Sequence, residues 1–338
     1  MFQFKTMSHE KILSDLKAKK FESIYFLAGE ETFYIDLISN YIEKNVLSEA
    51  DKGFNQTILY GRDIEIGALI SAAKQFPMMS DHTVIIVKEA QDLKKIEELK
   101  SYVEQPLEST LLVLCYRGKK LDKRKALYKS LQKNGIYFES NKLYENKIPE
   151  WIKSFLRAKD YKIGNKSAAM LSEFLGNDLS KIAGELEKLC IIAPKGSEIT
   201  DKLIEENIGI SKDYNNFELQ NAVIHRDTLK ANRIIKYFES NPKNNPIVVT
   251  LSVLYNLFSK VLIYHGLSDK NPQSVAKRLG VNPYFAKDYQ KAAQIYTLKK
   301  AVNALDVLRK ADVMSKGYKN PSTSHGDLLK EVIYKICY

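Results

Sequence analysis

The strongest constraint on the fold of this chain is the regular alternation of strand and helix patterns over its first 140 residues. Short runs of apolar and β-branched residues predict five strands, at 24–27, 56–60, 83–87, 110–116 and 136–139. Helical patterns lie between them, at about 31–46, 65–75, 94–104 and 122–133. Because helical crossovers of this kind join parallel strands, the sequence predicts an α/β domain built on a parallel sheet.

The first strand is followed by a single glycine and then by an amphipathic helix. This strand-to-helix connection, called the corner below, has the layout of a nucleotide-binding site but lacks the residues that bind phosphate. A phosphate-binding loop needs several glycines, a lysine and a serine or threonine. This turn offers Gly29 followed by Glu30 and Glu31. Carboxylates suit the positive end of the helix dipole, but they would occupy the anion position themselves and repel a triphosphate. We therefore expect a degenerate nucleotide site, and an ATPase with an unusual loop is disfavoured.

After Tyr144 the strand patterns stop, and helical patterns continue toward the C-terminus. A first group of amphipathic helices ends near Ile208 and predicts a small helical domain. From Tyr214 onward the pattern stays helical, and the apolar stretch 248–263 is expected to be the central helix of a bundle. We therefore predict three domains, at 1–140, 141–210 and 211–338.

The net charge of +11 is concentrated in the C-terminal third of the chain. Residues 211–338 carry 20 Lys and Arg against 10 Asp and Glu, whereas the rest of the chain is close to neutral. A basic excess confined to one region is expected if that region faces a polyanion. Charge spread over many helices can equally be a solvated surface, so composition alone leaves both interpretations open.

The sequence contains no pattern typical of a membrane span, a metal site or a catalytic centre. No run of about 18 apolar residues appears, and the N-terminus lacks the features of a secretory signal. The three cysteines and five histidines are dispersed without metal-ligand spacing. Motifs such as G-x-S-x-G and H-E-x-x-H are absent. We expect a cytoplasmic protein with no metal, no cofactor and no catalysis of its own.

Four apolar residues in a row, Phe76, Pro77, Met78 and Met79, follow the second predicted helix. A plug of the local core is the default interpretation. The alternative is an exposed hook for a hydrophobic groove, a role to which the flexible methionine side chain is suited. The proline ends the helix and turns the following side chains outward, which favours the hook.

Two basic segments have patterns compatible with nucleic-acid binding. Residues 274–293 resemble a helix-turn-helix, with Gly280 in the turn and Lys287 and Lys291 on the second helix. Two short antiparallel helices inside an all-helical domain would look the same. The run 117–125 holds six Lys and Arg residues after the fourth strand and is more typical of a solvated loop.

Five segments of the chain are informative together through their order and spacing. They are Y-F-L-A-G-E-E-T-F-Y-I-D, F-P-M-M-S-D-H-T-V-I-I-V-K-E-A, L-G-N-D-L-S-K-I-A-G-E-L-E-K-L, and L-G-V-N-P-Y-F-A-K with A-D-V-M-S-K-G. In this order they resemble the delta subunit of the bacterial DNA polymerase III clamp loader over essentially the whole chain.

This resemblance implies an ATPase-like α/β domain without a phosphate loop, followed by a small helical lid domain and an all-α collar domain for oligomerisation. It implies a protein that binds the sliding clamp and helps to open it for loading onto primed DNA during replication. ATP would be used by other subunits, which together with delta prime and this chain would form a hetero-pentamer. The chain also lacks the Ser-Arg-Cys tripeptide of the ATPase-linked subunits.

The chain would then be a non-catalytic component of the DNA-directed DNA polymerase, a nucleotidyltransferase holoenzyme. Its location would be the cytoplasmic, nucleoid-associated replisome, with no membrane partner. The alternative function is a stand-alone DNA-binding protein that uses residues 274–293 as a helix-turn-helix.

The resemblance also assigns a function to the apolar run. The clamp-contacting residues of the family lie just before the third strand and match Met78 and Met79, flanked by Phe76 and Pro77. The family carries Leu or Phe at these positions, so the two methionines are a departure.

In the basic third of the chain, Tyr318 lies between Lys316 and Lys319. Aromatic residues flanked by lysines are used for sequence-tolerant binding of single strands. Tyr318 is therefore a candidate for stacking on a base at the primer-template junction. An exposed tyrosine in a turn is the alternative.

Overall fold

The computed structural model describes residues 7–208, 214–281, 283–318 and 322–338. The chain forms two compact units, Met1–Leu143 and Tyr144–Tyr338. The boundary between them is close to the predicted end of the α/β domain at residue 140. The other predicted boundary, at residue 210, lies outside the described residues, so the division into lid and collar stays a prediction.

One parallel sheet forms the centre of the first unit. Its strands are β1 Ile24–Gly29, β2 Gln56–Tyr60, β3 Thr83–Lys88, β4 Thr110–Arg117 and β5 Ile136–Ser140. They lie in the order β2-β3-β4-β1-β5, and every neighbouring pair is parallel. The register places Tyr25 opposite both Val113 and Ile136. The five predicted strands and their parallel arrangement are therefore confirmed.

The helices described in this unit are α1 His9–Lys17, α2 Thr32–Asn45, α3 Glu49–Asn55, α4 Ile66–Ala73, α5 Lys100–Val103 and α6 Ala126–Asn134. The prediction of one helix at 94–104 is wrong in part. Lys95 has a left-handed backbone with φ of 57°, and a 3-10 turn at Ile96–Leu99 comes before the short α5. A continuous α-helix does not pass through a residue in that conformation.

Alternate residues of β1 enter two different cores, one on each face of the sheet. Ile24 and Phe26 pack on the face covered by α4, α5 and α6. Tyr25 and Leu27 pack on the opposite face, which α1 and α2 cover. Because both faces are buried there, inner strands such as β1 and β4 have the continuous apolar sequence that is typical of parallel sheets, whereas the edge strand β2 is partly exposed.

The second unit is mainly helical. Its first part contains α7 Ile148–Arg157, α8 Asn165–Leu175, α9 Leu179–Ile192 and α10 Asp201–Ile208, with a small parallel pair formed by β6 Lys162–Ile163 and β7 Glu198–Ile199. Its second part contains α11 Asn216–Ile224, α12 Thr228–Ser240, α13 Ile247–His265, α14 Pro272–Leu279, α15 Ala286–Ile295, α16 Leu298–Ser315 and α17 His325–Cys337.

Helix α13 is central to the second part of this unit, as its apolar sequence predicts. Leu254, Leu257, Phe258 and Val261 are buried in a core shared with the surrounding helices. Among the described residues, α13 is also long and apolar enough to cross a membrane by length and composition. Core helices of soluble proteins pass the same test, so this is weak evidence for a span.

A buried carboxylate connects three helices of the second unit. Glu218 on α11 pairs with Lys166 on α8 at 2.8 Å and also with Lys230 on α12. Burial, the largest single effect, would raise the pKa of Glu218, but the hydrogen bonds and charges of the two lysines outweigh it. The pKa of Glu218 is therefore lowered.

Candidate functional site

The apolar run Phe76–Met79, called the tip below, lies in the loop between the end of α4 and the start of β3. Phe76 is 77% exposed, Met78 is 63% exposed and Met79 is fully exposed, while Pro77 is half-buried. A plug of the local core would have these side chains buried, so the structure removes that interpretation. Exposed apolar side chains grouped in one loop are typical of an interaction surface.

Asn55, at the end of α3, holds the tip through both polar groups of its side chain. Its Oδ1 accepts a hydrogen bond from the backbone N–H of Met78 at 2.7 Å. Its Nδ2 donates to the backbone carbonyl of Met78 at 2.9 Å. The next residue, Met79, has a left-handed backbone with φ of 54°. Residues other than glycine adopt this backbone conformation rarely, so the surrounding contacts must fix it.

A second contact supports the end of α4 from the core. The hydroxyl of Tyr102, a fully buried side chain, donates to the carbonyl of Ala73 at 3.1 Å. Ala73 is the last residue of α4, so its carbonyl has no partner within the helix. The tip therefore leaves the helix from a fixed position.

Sequence reasoning missed Asn55 and Tyr102, and also Phe54. Asn55 contacts a residue 23 positions away, and no local pattern indicates such a contact. Phe54, next to Asn55 in α3, is 77% exposed.

The degenerate nucleotide corner lies at the opposite edge of the sheet, after β1. Gly29 has φ of 134°, and a Cβ built on it would lie 1.9 Å from the carbonyl oxygen of Ser140 in β5. Only glycine fits this position. The backbone N–H of Gly118 also donates to the carbonyl of Gly29 at 2.8 Å, so the corner is held on both sides.

The two glutamates after Gly29 have different environments. Glu31 is buried and is the N-cap of α2, where its Oε1 accepts a hydrogen bond from the backbone N–H of Phe33 at 3.0 Å. Glu30 is exposed. The N-terminus of α2 is where a phosphate would bind in an ATPase. In this chain a carboxylate of Glu31 is hydrogen-bonded there.

An ion-pair network lies at the same edge of the sheet. Arg117, the last residue of β4, contacts Asp36 of α2 and Glu89 after β3, the latter at 3.1 Å. Its backbone N–H donates to Oε1 of Gln91 at 3.0 Å. In open parallel sheets, ligands bind at the carboxyl ends of the strands where the direction of the connections changes. The side chain of Arg117 lies at this end of the sheet and joins α2, which follows β1, to the segment that follows β3.

Most of the basic run after β4 is paired with carboxylates. Lys120 and Lys123 contact Glu139 at 2.9 Å and 3.3 Å, and Lys125 contacts Glu97 at 3.0 Å. Although burial would raise the pKa of Glu139, hydrogen bonds and charges from its two lysines lower it. The structure thus favours a solvated, internally paired loop over a free basic patch.

The predicted DNA-proximal residues follow helix α16. Tyr318 is exposed and comes directly after Gly317, which has φ of 86°. Lys316 pairs with Asp312 at 2.7 Å. Lys319 lies outside the described residues. The structure thus places Tyr318 in a turn at the surface, as both interpretations of this residue require.

The helix-turn-helix candidate consists of α14 and α15, with Gly280 in a left-handed conformation between them. Lys287 and Lys291 are exposed on α15. The buried face of α15, which includes Tyr289 and Ala292, belongs to the common core of the helices around α13. These helices are therefore integral parts of a larger helical unit.

Together, the sheet order, the altered corner and the helical second unit define an ATPase-like protein without a phosphate loop. The sequence profile of the family "DNA polymerase III, delta subunit" matches residues 25–141. The profile of the "DNA polymerase III delta subunit, C-terminal domain" matches residues 213–328. The chain belongs to the DNA polymerase III delta subunit family, and is thus a clamp-loader component of the DNA replication machinery.

Individual relatives agree with this assignment. The chain is 25% identical over 298 residues to DNA polymerase III subunit delta of Bacillus subtilis, covering 85% of each protein. It is 24% identical over 226 residues to the probable DNA polymerase III subunit delta of Aquifex aeolicus, covering 63% of each. The solved structure of the Bacillus subtilis DNA clamp loader delta protein has a TM-score of 0.61 at 23% identity, covering 98% of this chain and 99% of that one.

Proposed function

We propose that this chain binds the sliding clamp through the tip and helps to open one interface of the ring. Its partners would be the ATPase subunits and delta prime, in a hetero-pentamer that loads the clamp onto primed DNA. The clamp loader delta protein of Bacillus subtilis, which the chain resembles in fold, supports membership in such a complex. Within the chain, the main support is the exposure of Met78 and Met79.

The energy available from the tip is enough for a specific contact. Burial of a methionine side chain contributes about 1.5–3 kcal/mol. The two methionines together would then supply about 3–6 kcal/mol, which corresponds to roughly a hundredfold or more in affinity. A hydrophobic groove on the partner would accept them, and Phe76 and Pro77 would extend the contact.

The test is clamp affinity of the chain carrying Met78→Ala and Met79→Ala. We expect Kd to rise by roughly a hundredfold or more, because both exposed apolar side chains are removed. Ile191→Ala is the matched control, since Ile191 is 83% exposed but belongs to the second unit. Unchanged affinity of the double variant, with circular dichroism like that of the wild type, would overturn the assignment.

We also propose that the nucleotide corner does not bind ATP, and that the chain acts without catalysis of its own. The carboxylate of Glu31 is hydrogen-bonded at the position that a phosphate would need, and it would repel one. Titration of the isolated chain with magnesium and a fluorescent ATP analogue tests this proposal. Saturable binding with micromolar affinity would contradict it.

In the second unit, we propose a helical lid at 141–210 and a collar at 211–338 that packs with other subunits near primer-template DNA. The basic composition of residues 211–338 supports proximity to DNA. Tyr318 would stack on a base at the junction, with Lys316 and Lys319 beside it. Tyr318→Ala should then reduce DNA-dependent loading and leave clamp binding unchanged. The complex would act in the cytoplasmic, nucleoid-associated replisome.

A further inference from the structure

The contact between Asn55 and Met78 joins two loops at the amino ends of neighbouring strands. Asn55 directly precedes β2, and the tip precedes β3. One side chain satisfies both the N–H and the carbonyl of Met78, in the way that a neighbouring strand would. The sheet pairing of β2 with β3 begins at Gln56, so Asn55 extends the connection between these segments into the loops.

We propose that Asn55 is a positioning residue, which holds the tip in its binding conformation before the clamp arrives. This inference rests on the proposed function of the tip. Asn55 is only 2% exposed, so it does not form part of the surface that a partner would contact. Its effect on binding must therefore pass through the backbone of Met78.

The orientation of the Asn55 amide is fixed by a further hydrogen bond. Nδ2 also donates to the carbonyl of Asp51, one turn earlier in α3, at 3.3 Å. If the oxygen and nitrogen were exchanged, the amide would present its oxygen to two carbonyls and its NH₂ group to an N–H. Only the observed orientation satisfies all three contacts. Asparagine is therefore suited to this position, whereas aspartate, which lacks the donor, is not.

A rigid tip binds more tightly than a flexible one, because the cost of ordering the loop is met when the chain folds. Met79 is in a left-handed conformation that an unrestrained loop would adopt rarely. Ordering the backbone of one residue on binding costs roughly a factor of ten in affinity. Loss of the Asn55 contact should therefore weaken clamp binding by about tenfold.

The experiment measures clamp affinity for four proteins: the wild type, Asn55→Ala, the double variant Met78→Ala and Met79→Ala, and the triple variant. We expect Asn55→Ala to bind about tenfold more weakly than the wild type. We expect no additional loss in the triple variant, because the side chains that Asn55 positions are absent. A fifth protein, Asn55→Asp, should bind as weakly as Asn55→Ala, because the carboxylate cannot donate to the carbonyl of Met78.

Tyr25→Phe controls for a general loss of stability. The hydroxyl of the buried Tyr25 accepts a hydrogen bond from the backbone N–H of Glu22 at 3.0 Å, in the same unit. This variant also loses a hydrogen bond between a side chain and the backbone, but in a different part of the unit. We expect it to bind the clamp as the wild type does. Equal losses in Tyr25→Phe and Asn55→Ala would overturn the inference.

Hydrogen exchange of the free protein gives a readout that does not depend on the clamp. The amide of Met78 should exchange at least about tenfold faster in Asn55→Ala than in the wild type, while the amides of β3 stay protected. Equal exchange of Met78 in both proteins would overturn the inference, as would wild-type clamp affinity of Asn55→Ala. If instead the double methionine variant keeps its affinity, the proposed function fails, and the exchange result still decides whether Asn55 orders the tip.

Discussion

Substitution of Gly29 by alanine tests whether the corner after β1 is held as tightly as its geometry indicates. Gly29 combines two constraints, a backbone φ of 134° and contact with β5. Residues with a side chain avoid this backbone region, at a cost of about 1–3 kcal/mol. A Cβ would in addition lie 1.9 Å from the carbonyl oxygen of Ser140, far inside any contact distance, so β1 and β5 would have to separate.

A displacement of Gly29 would also weaken two hydrogen bonds at the corner, one on each side of β1. The N–H of Gly118 donates to the carbonyl of Gly29 at 2.8 Å, and the N–H of Glu31 donates to that of Ser140 at 3.4 Å. At about 1 kcal/mol for each bond, and with the backbone cost, the expected destabilisation is about 3–5 kcal/mol. With a urea dependence of about 2 kcal/mol per molar, the midpoint of unfolding should fall by about 2 M.

The assay is urea unfolding, in which hydrogen exchange of peptides from β1 and β5 reports on the first unit. The single tryptophan, Trp151, belongs to the second unit, and its fluorescence follows that unit separately. Gly53→Ala is the matched control. A Cβ on Gly53 in α3 would meet no atom within 4 Å, so alanine there should stabilise the helix by about 0.5–1 kcal/mol.

The two glycine substitutions are thus expected to have opposite signs. If Gly29→Ala changes the free energy of unfolding of the first unit by less than about 0.5 kcal/mol, the corner tolerates a side chain. Glycine would then not be required for the shape of this strand-to-helix turn, and the reason given for its presence would be refuted.

Three further measurements test other parts of the structure. Phe54→Ala should weaken clamp binding by about tenfold if the exposed ring of Phe54, the residue before Asn55, joins the contact, and wild-type affinity would exclude it. Glu218→Gln should lower stability by about 1–2 kcal/mol at pH 7. The pKa of Glu218 is lowered in the fold, so the stability difference between wild type and variant is complete above the usual pKa of 4.5. This difference should vanish as the pH falls through the pKa of the folded state. A difference in the free energy of unfolding that stays constant down to pH 2 would contradict this expectation. Burial raises the pKa of the Cys115 thiol to about 11. Alkylation of the folded protein at pH 8 should therefore label the half-buried Cys190 before Cys115. Faster labelling of Cys115 in peptide mass spectra would contradict its burial.

Most of the sheet could be predicted from the sequence because its strands, apart from the partly exposed edge strand β2, are buried on both faces. A strand such as β4, with six successive buried residues from Thr110 to Cys115, forms a continuous apolar run that stands out from the helices around it. The helix predicted at 94–104 was less accurate, because the left-handed backbone of Lys95 leaves no mark in hydrophobic periodicity. Local patterns therefore predict elements well and their interruptions less well.

The tip could be located in the sequence, but its composition left both a buried plug and an exposed hook open, and the contacts that support it could not be predicted. Phe76–Met79 has the same composition whether it fills a core or projects into solvent. The outcome depends on which other residues already fill the space, and that is a property of the whole unit. Asn55 acts through hydrogen bonds to a backbone 23 residues away, and neither its type nor its neighbours indicate the partner.

The corner and the tip occupy opposite edges of the same sheet, and this separation has a functional consequence. Gly29 and Arg117 end their strands, whereas Asn55 and the tip precede theirs. Since the strands are parallel and five to eight residues long, the two regions lie about 15–25 Å apart along the strand direction. A nucleotide at the corner could not touch the tip, and it would have to act by moving the layers between them. In this chain Arg117 joins α2 to the segment after β3, which holds those elements together without a nucleotide. The tip can therefore keep a fixed shape without a nucleotide at the corner.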